Sequence, residues 1–196
     1  MKALRGIHAG ETATIVGMGP SILRLTADDF GPGPIITLNH AILTVRKLDL
    51  PNPVYSMQKD GCIPHGRRHQ HPPRIPIRAC ACPSPRMVPP IEPEELLLSW
   101  AESSRCFATY PRRHVFDVER DFGYEWNRMS APVAVRIAMW MGCTALVMRG
   151  FDAFTSGDVR RVPVNGVGTG SPRGYALSGV QSAAIAKAAG LPITWT

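Results

Sequence analysis

The sequence predicts one α/β domain built on a mainly parallel sheet with helices on both faces. Three observations carry that expectation. Segments of strand length rich in apolar residues recur along the chain, at 12–17, 35–39, 53–57, 94–100, 143–148 and 192–195. Helical stretches fall between several of them, the alternation of a sheet whose strands are joined by crossovers. The first segment also stops at Gly17-Met18-Gly19-Pro20-Ser21, a bare turn that joins a buried strand to a helix start.

Each element has a local reason. Pro20 suits a first helical position, where no N–H is needed, so a short helix is expected over 20–25. Pro32 and Pro34 lead into the second strand, which ends on Asn39. A helical or irregular stretch at 40–48 precedes the third strand, which is followed by Gln58-Lys59-Asp60. Residues 61–90 hold eight prolines, five arginines, three histidines and no acidic residue. That density of proline rules out a long helix or a central strand and predicts a basic loop or lid inserted in the domain. Regular structure resumes at 94–100, whereas 101–128 reads as mixed and aromatic-rich. Ser130 is placed as an N-cap with Pro132 in the first turn, opening a helix over 130–142. The buried strand 143–148 ends in Arg149-Gly150-Phe151-Asp152. A Gly-rich loop over 157–174 then leads to a last helix at 178–189.

Composition narrows the function. The 196 residues are enough for one domain with a substantial core, and 44% are hydrophobic. A formal charge of +7 and a pI near 9.5 favour anionic ligands. No run of five like charges occurs, which argues against nucleic acid as the partner. The first residues lack an apolar signal core, and the longest apolar stretch, 131–148, is broken by Arg136, Pro132 and Gly142. The expectation is a cytoplasmic protein with no membrane span. Five cysteines, an odd number, are expected as free thiols. Cys62, His65, His69, His71, Cys80 and Cys82 crowd into 21 residues. Their spacing fits no paired zinc knuckle, so a basic lid over an anionic substrate is preferred to zinc.

The turn at 17–21, Asn39, Ser130 ahead of a long helix and Gly150-Phe151-Asp152 together resemble a known pattern. It is that of the Rossmann-like superfamily of bacterial CMP-sialic-acid-dependent sialyltransferases and MptE-like pterin diphosphokinase proteins. In size and layout the chain looks most like small phage-encoded members of unassigned function. The resemblance covers roughly 12–60 and 126–196. It implies a nucleotide or nucleotide-sugar donor held by Gly17, Met18, Gly19, Pro20, Ser21 and Asn39, with Ser130 and Gly150 close by, in a bacterial or phage-infected host cell. Those sialyltransferases carry a catalytic His in the loop before the last helix. Residues 166–175 hold none, so binding is better supported than sialyl transfer.

The dinucleotide fingerprint fails here, because Ile22 stands at its third glycine and Asn39 replaces its acidic residue. No P-loop lysine is present. A phosphate at the 17–21 turn, the nucleoside on Asn39 and Ser130, and a base drawn from His40, Asp60 or Asp152 describe a glycosyltransferase-like enzyme. Arg173 would steady the departing nucleotide. Two alternatives stand beside it. One is diphosphokinase-like transfer with Asp60, Asp152 and Asp158 holding Mg²⁺ on a nucleotide diphosphate. The other is a non-catalytic nucleotide-binding accessory module. The acceptor is left open, as is assembly into a homo-oligomer. On this view Gly19→Val should remove nucleotide binding and leave the fold largely intact.

Overall fold

A computed structural model describes residues 2–58, 96–100, 112–122, 129–158 and 172–196. The strands are β1 (Thr12–Val16), β2 (Ile35–Leu38), β3 (Val54–Gln58), β4 (Leu96–Trp100), β5 (Arg113–Phe116), β6 (Ala145–Arg149) and β7 (Ile193–Trp195). Among the described residues the α-helices are α1 (Ile42–Arg46), α2 (Val118–Phe122), α3 (Ser130–Trp140), α4 (Asp152–Thr155) and α5 (Pro172–Ala188). Short 3₁₀ turns at Pro20–Arg24, Ala27–Asp29 and Asn39–Ala41 fill the connections around β2.

The seven described strands form one parallel sheet in the order β5-β4-β3-β2-β1-β6-β7. This is a Rossmann-like α/β arrangement. Strands buried on both faces read as continuous apolar runs, which is why β1, β2 and β6 were legible. Side chains alternate across the sheet. Ala13, Ile15, Ile36, Leu38, Tyr55, Met57, Leu146 and Met148 form the larger core with α3 and Ala186 of α5. Val16 and Ile35 face the other way and pack with Ile22, Ala41 and Val45 from the 3₁₀ turns and α1. One row across that second face carries Arg149, Val16, Thr37 and Ser56 in register.

The segment ahead of β1 closes the lower end of α3. Gly6, His8 and Gly10 donate main-chain N–H groups to Trp140 O (3.0 Å), Met141 O (2.8 Å) and Gly142 O (3.0 Å), carbonyls that a helix end otherwise leaves unsatisfied. Leu4 is buried in the larger core, and the Arg5 guanidinium lies 5.3 Å from the Trp140 ring centroid.

Several expectations are corrected. Ser130 is the first helical residue of α3. Met129, extended at φ −89° and ψ 136°, precedes it, and no side chain caps the helix. The last helix starts at Pro172, not 178, because proline initiates it. Pro172 to Gly174 therefore leave the Gly-rich loop, and Arg173 stands in a helix. Within 101–128 the chain forms β5 and α2. β5 went unseen because Arg113 and His114 are half-buried at the sheet edge and make no apolar run. Asn39 opens a 3₁₀ turn, one residue beyond its strand. Asp60, the 61–90 insertion and its Cys/His set lie outside the described residues. Cys143 is a buried free thiol. No described helix is long and apolar enough to cross a membrane.

Candidate functional site

Strand order reverses at β1. The chain runs from β1 outward through β2, β3, β4 and β5, then returns to place β6 on the other side of β1. In open parallel sheets such a reversal leaves a crevice at the carboxyl ends of the two strands. The turn after β1 and the turn after β6 meet there. Gly17 N donates to Arg149 O at 2.7 Å and Gly19 N to Gly150 O at 2.8 Å. A Cβ on Gly17 would strike Gly150 O, and one on Gly150, whose φ is +73°, would strike Ile22 Cγ2. These glycines let the two turns interlock.

Asp152 follows at once and fills the turn. Its Oδ2 accepts from Ser21 Oγ at 2.8 Å, and the carboxylate accepts from Ser21 N at 3.3 and 3.4 Å. A Cβ on Gly19 would fall onto Asp152 Oδ2. The carboxylate therefore stands where the sequence places a phosphate. Ile22 N donates to Gly19 O at 3.2 Å, and Pro20 has no N–H. The donors of the turn are thus largely met by the protein's own acceptors. The amides of Gly17, Gly19 and Ser21 are therefore not bare donors awaiting an anion. The Gly19→Val expectation is corrected, since valine there must displace Asp152. Met18 is half-buried against the Val16–Ile22 core.

Beside this crevice, at the carboxyl ends of β2 and β3, stand Asn39 and Gln58. Asn39 has a left-handed backbone, φ 54°, uncommon outside glycine and often found at functional positions. The buried Gln58 donates through Nε2 to Asn39 O at 2.9 Å and to Ser56 Oγ at 3.0 Å. Asn39 Oδ1 and Gln58 Oε1 are both buried with no donor. His40 is buried beside Asn39.

Arg149 and Asp29 complete the crevice on the second face, with Nη1 to Oδ1 at 3.2 Å. Asp29 Oδ2 accepts from Thr26 N at 2.8 Å and from Thr26 Oγ1 at 3.1 Å. The main-chain bond from Thr26 does most to hold the Asp29 carboxyl below its ordinary range. Burial opposes it, and the Thr26 hydroxyl and Arg149 assist.

The geometry brings Gly17, Gly19, Ser21, Gly150 and Asp152 into direct contact, and Asn39 into contact with Gln58. Ser130, at the start of α3, makes no side-chain cap and has no hydrogen bond to either group. Gln58 and Arg149 are the residues that sequence reasoning passed over. A signal existed for both: each is a strongly polar residue at the carboxyl end of an otherwise largely apolar strand. No described group of three or more His, Cys, Asp or Glu side chains is arranged to hold a metal ion. Comparison with known proteins returns no matching family model, curated protein or solved structure.

Proposed function

We propose that the chain is a nucleotide-binding transferase, glycosyltransferase-like, that uses a nucleotide-activated donor at the β1–β6 crevice. The observation that carries this is the Ser21–Asp152 pair, a carboxylate and a hydroxyl 2.8 Å apart where strand order reverses. Asp152 follows β6 directly and is half-buried, a suitable setting for a general base. It would take the proton of an acceptor hydroxyl. The acceptor oxygen then bonds the anomeric carbon as the bond from that carbon to the donor phosphate breaks, and the nucleotide leaves with the electron pair. Asn39, with an amide oxygen that lacks a donor, would receive an N–H or ribose hydroxyl of the nucleoside.

A second reading is favoured by the same carboxylate. A bare phosphate is repelled by Asp152, and a divalent cation removes the repulsion. Mg²⁺ is commonly held by one or two carboxylates together with substrate phosphates. Asp152 is fitted to that role, and Asp158, whose main-chain N donates to Asp152 O at 3.2 Å, would join it on this reading. Bound there, Mg²⁺ would neutralise phosphate charge during diphosphokinase-like transfer.

A thermal-shift screen of CMP, CDP, UDP, GDP and ATP, with and without Mg²⁺, tests both. Ligands that bind the native state raise its melting point. A metal-independent shift with donor consumption supports the transferase, and a shift abolished by EDTA supports phosphoryl transfer. A shift with no consumption of any donor would mark a binding module. Were no nucleotide to shift the melting point, the proposal would fail.

A further inference from the structure

Among the described residues, Arg149 is a cation at this crevice that the mechanism above leaves unused. Arg149 closes β6 in register with Val16, so its side chain lies on the same sheet face as Val16 and the Pro20–Arg24 turn that packs there. The side chain is only 16% exposed, and its Nε is buried without an acceptor. A guanidinium offers five N–H donors, and a buried donor left unmet calls for an explanation. Asp29 answers the charge only in part. Its Oδ2 is engaged by Thr26, which leaves Oδ1 to Arg149.

Four of the turn's amides are already engaged. Gly17, Gly19, Ser21 and Ile22 spend their N–H groups on Arg149 O, Gly150 O, Asp152 and Gly19 O. Among the charged side chains described at this crevice, the Arg149 guanidinium is the one with a buried donor to spare. We propose that Arg149 is the phosphate contact of the site, and that Asp29 is the counter-ion holding the guanidinium until phosphate replaces it. The inference rests on the nucleotide reading above and supplies the phosphate contact that the turn does not. A planar fork matches two phosphate oxygens, which a lysine ammonium cannot reproduce. Asp29 is suited to release: it is 32% exposed, and its bonds to Thr26 persist when the arginine turns away.

The test is calorimetry on the full chain with inorganic pyrophosphate, CMP and CDP. Arg149→Gln should weaken all three by about tenfold or more, the scale of a hydrogen bond to a charged group. Arg149→Lys should recover part of the loss. Asp29→Asn should move the other way and tighten binding, because it removes the competing carboxylate; a merely structural ion pair predicts no gain. If Arg149→Gln does not fold, Asp29→Asn alone decides. Unchanged affinity in Arg149→Gln, or weakened affinity in a folded Asp29→Asn, would overturn the assignment while nucleotide binding stands. Pyrophosphate bound through Arg149 with no binding of CMP or CDP would keep the anion contact and end the nucleotide reading. No binding of any of the three to the unaltered chain would overturn both.

Discussion

Ser21 gives both its hydroxyl and its main-chain N–H to the carboxylate of Asp152. The turn after β1 is thereby tied to the turn after β6, and the anion at the start of the 3₁₀ turn comes from the protein itself. Such a start favours a negative charge whatever its source. Function at this crevice must accordingly be read from a carboxylate and a nearby arginine, and less from bare glycines.

Replacement of Asp152 separates binding from chemistry. Asp152→Asn keeps the size of the side chain and one acceptor for Ser21, but it cannot serve as a base. Transferase turnover should fall by roughly 10²–10⁴, the usual contribution of a general base. Nucleotide affinity should hold or rise, because the repulsion between carboxylate and phosphate is gone. Donor consumption and calorimetry on the same preparation check the two halves. Normal turnover in this variant would remove Asp152 from the mechanism.

The glycines of the crevice should differ in cost. Alanine at Gly17 meets the Gly150 carbonyl, and alanine at Gly150 meets Ile22 from a left-handed backbone. Neither backbone can yield cheaply, and a loss of about 1–3 kcal/mol is expected for each. Gly19→Ala strikes the Asp152 carboxylate, which can rotate aside, and meets the Gly150 carbonyl at 2.8 Å, a lesser approach than the 2.5 Å at Gly17. Its stability loss should be smaller, while its turnover should drop as in Asp152→Asn. Denaturant midpoints at constant m-value give the ranking.

The sequence made the parallel sheet legible because buried central strands leave apolar runs, and Gly17, Asn39 and Asp152 could be placed at strand ends. It did not reveal that Asp152 fills the turn of Ser21, since a contact between distant positions leaves no local period. Arg149 was hidden for a similar reason. As the last residue of β6 it resembles a strand terminator, and only the register with Val16 puts it on the crevice face. The start of α5 was obscured by Gly174, which reads as loop until Pro172 is credited with initiating the helix.

Alkaline pH should weaken the fold through two buried acids at the lower end of the sheet. Burial is the main cause that raises Tyr55 from 10.0 to about 12 and Cys143 from 9.0 to about 11, with Glu11 adding repulsion in both cases. Each folded pKa lies above its unfolded value, so the neutral form is favoured in the fold. The stability linked to them is whole below pH 9.0, then declines through about 11 for Cys143 and about 12 for Tyr55. Denaturant melts across that window should show the fall. Tyr55→Phe and Cys143→Ser should each flatten its own part of the curve.

His8 ties the first segment to β3 through the Tyr55 hydroxyl. Tyr55 is 1% exposed, and its hydroxyl lies 2.8 Å from His8 Nε2, while His8 Nδ1 lies 3.2 Å from Glu11 Oε2. The Glu11 carboxylate only accepts, so Nδ1 carries a proton, and the Nε2 lone pair is the acceptor available to the phenol when it donates. His8→Ala leaves the phenol without an acceptor in the core and should cost about 1–3 kcal/mol. Tyr55→Phe removes the polar group together with its bond and should cost less. The double variant should lie closer to His8→Ala than the sum of the two, with a coupling of about 1 kcal/mol between residues in contact. Urea melts of the four proteins measure it, and strict additivity would mean that the hydrogen bond does not hold the first segment to the sheet.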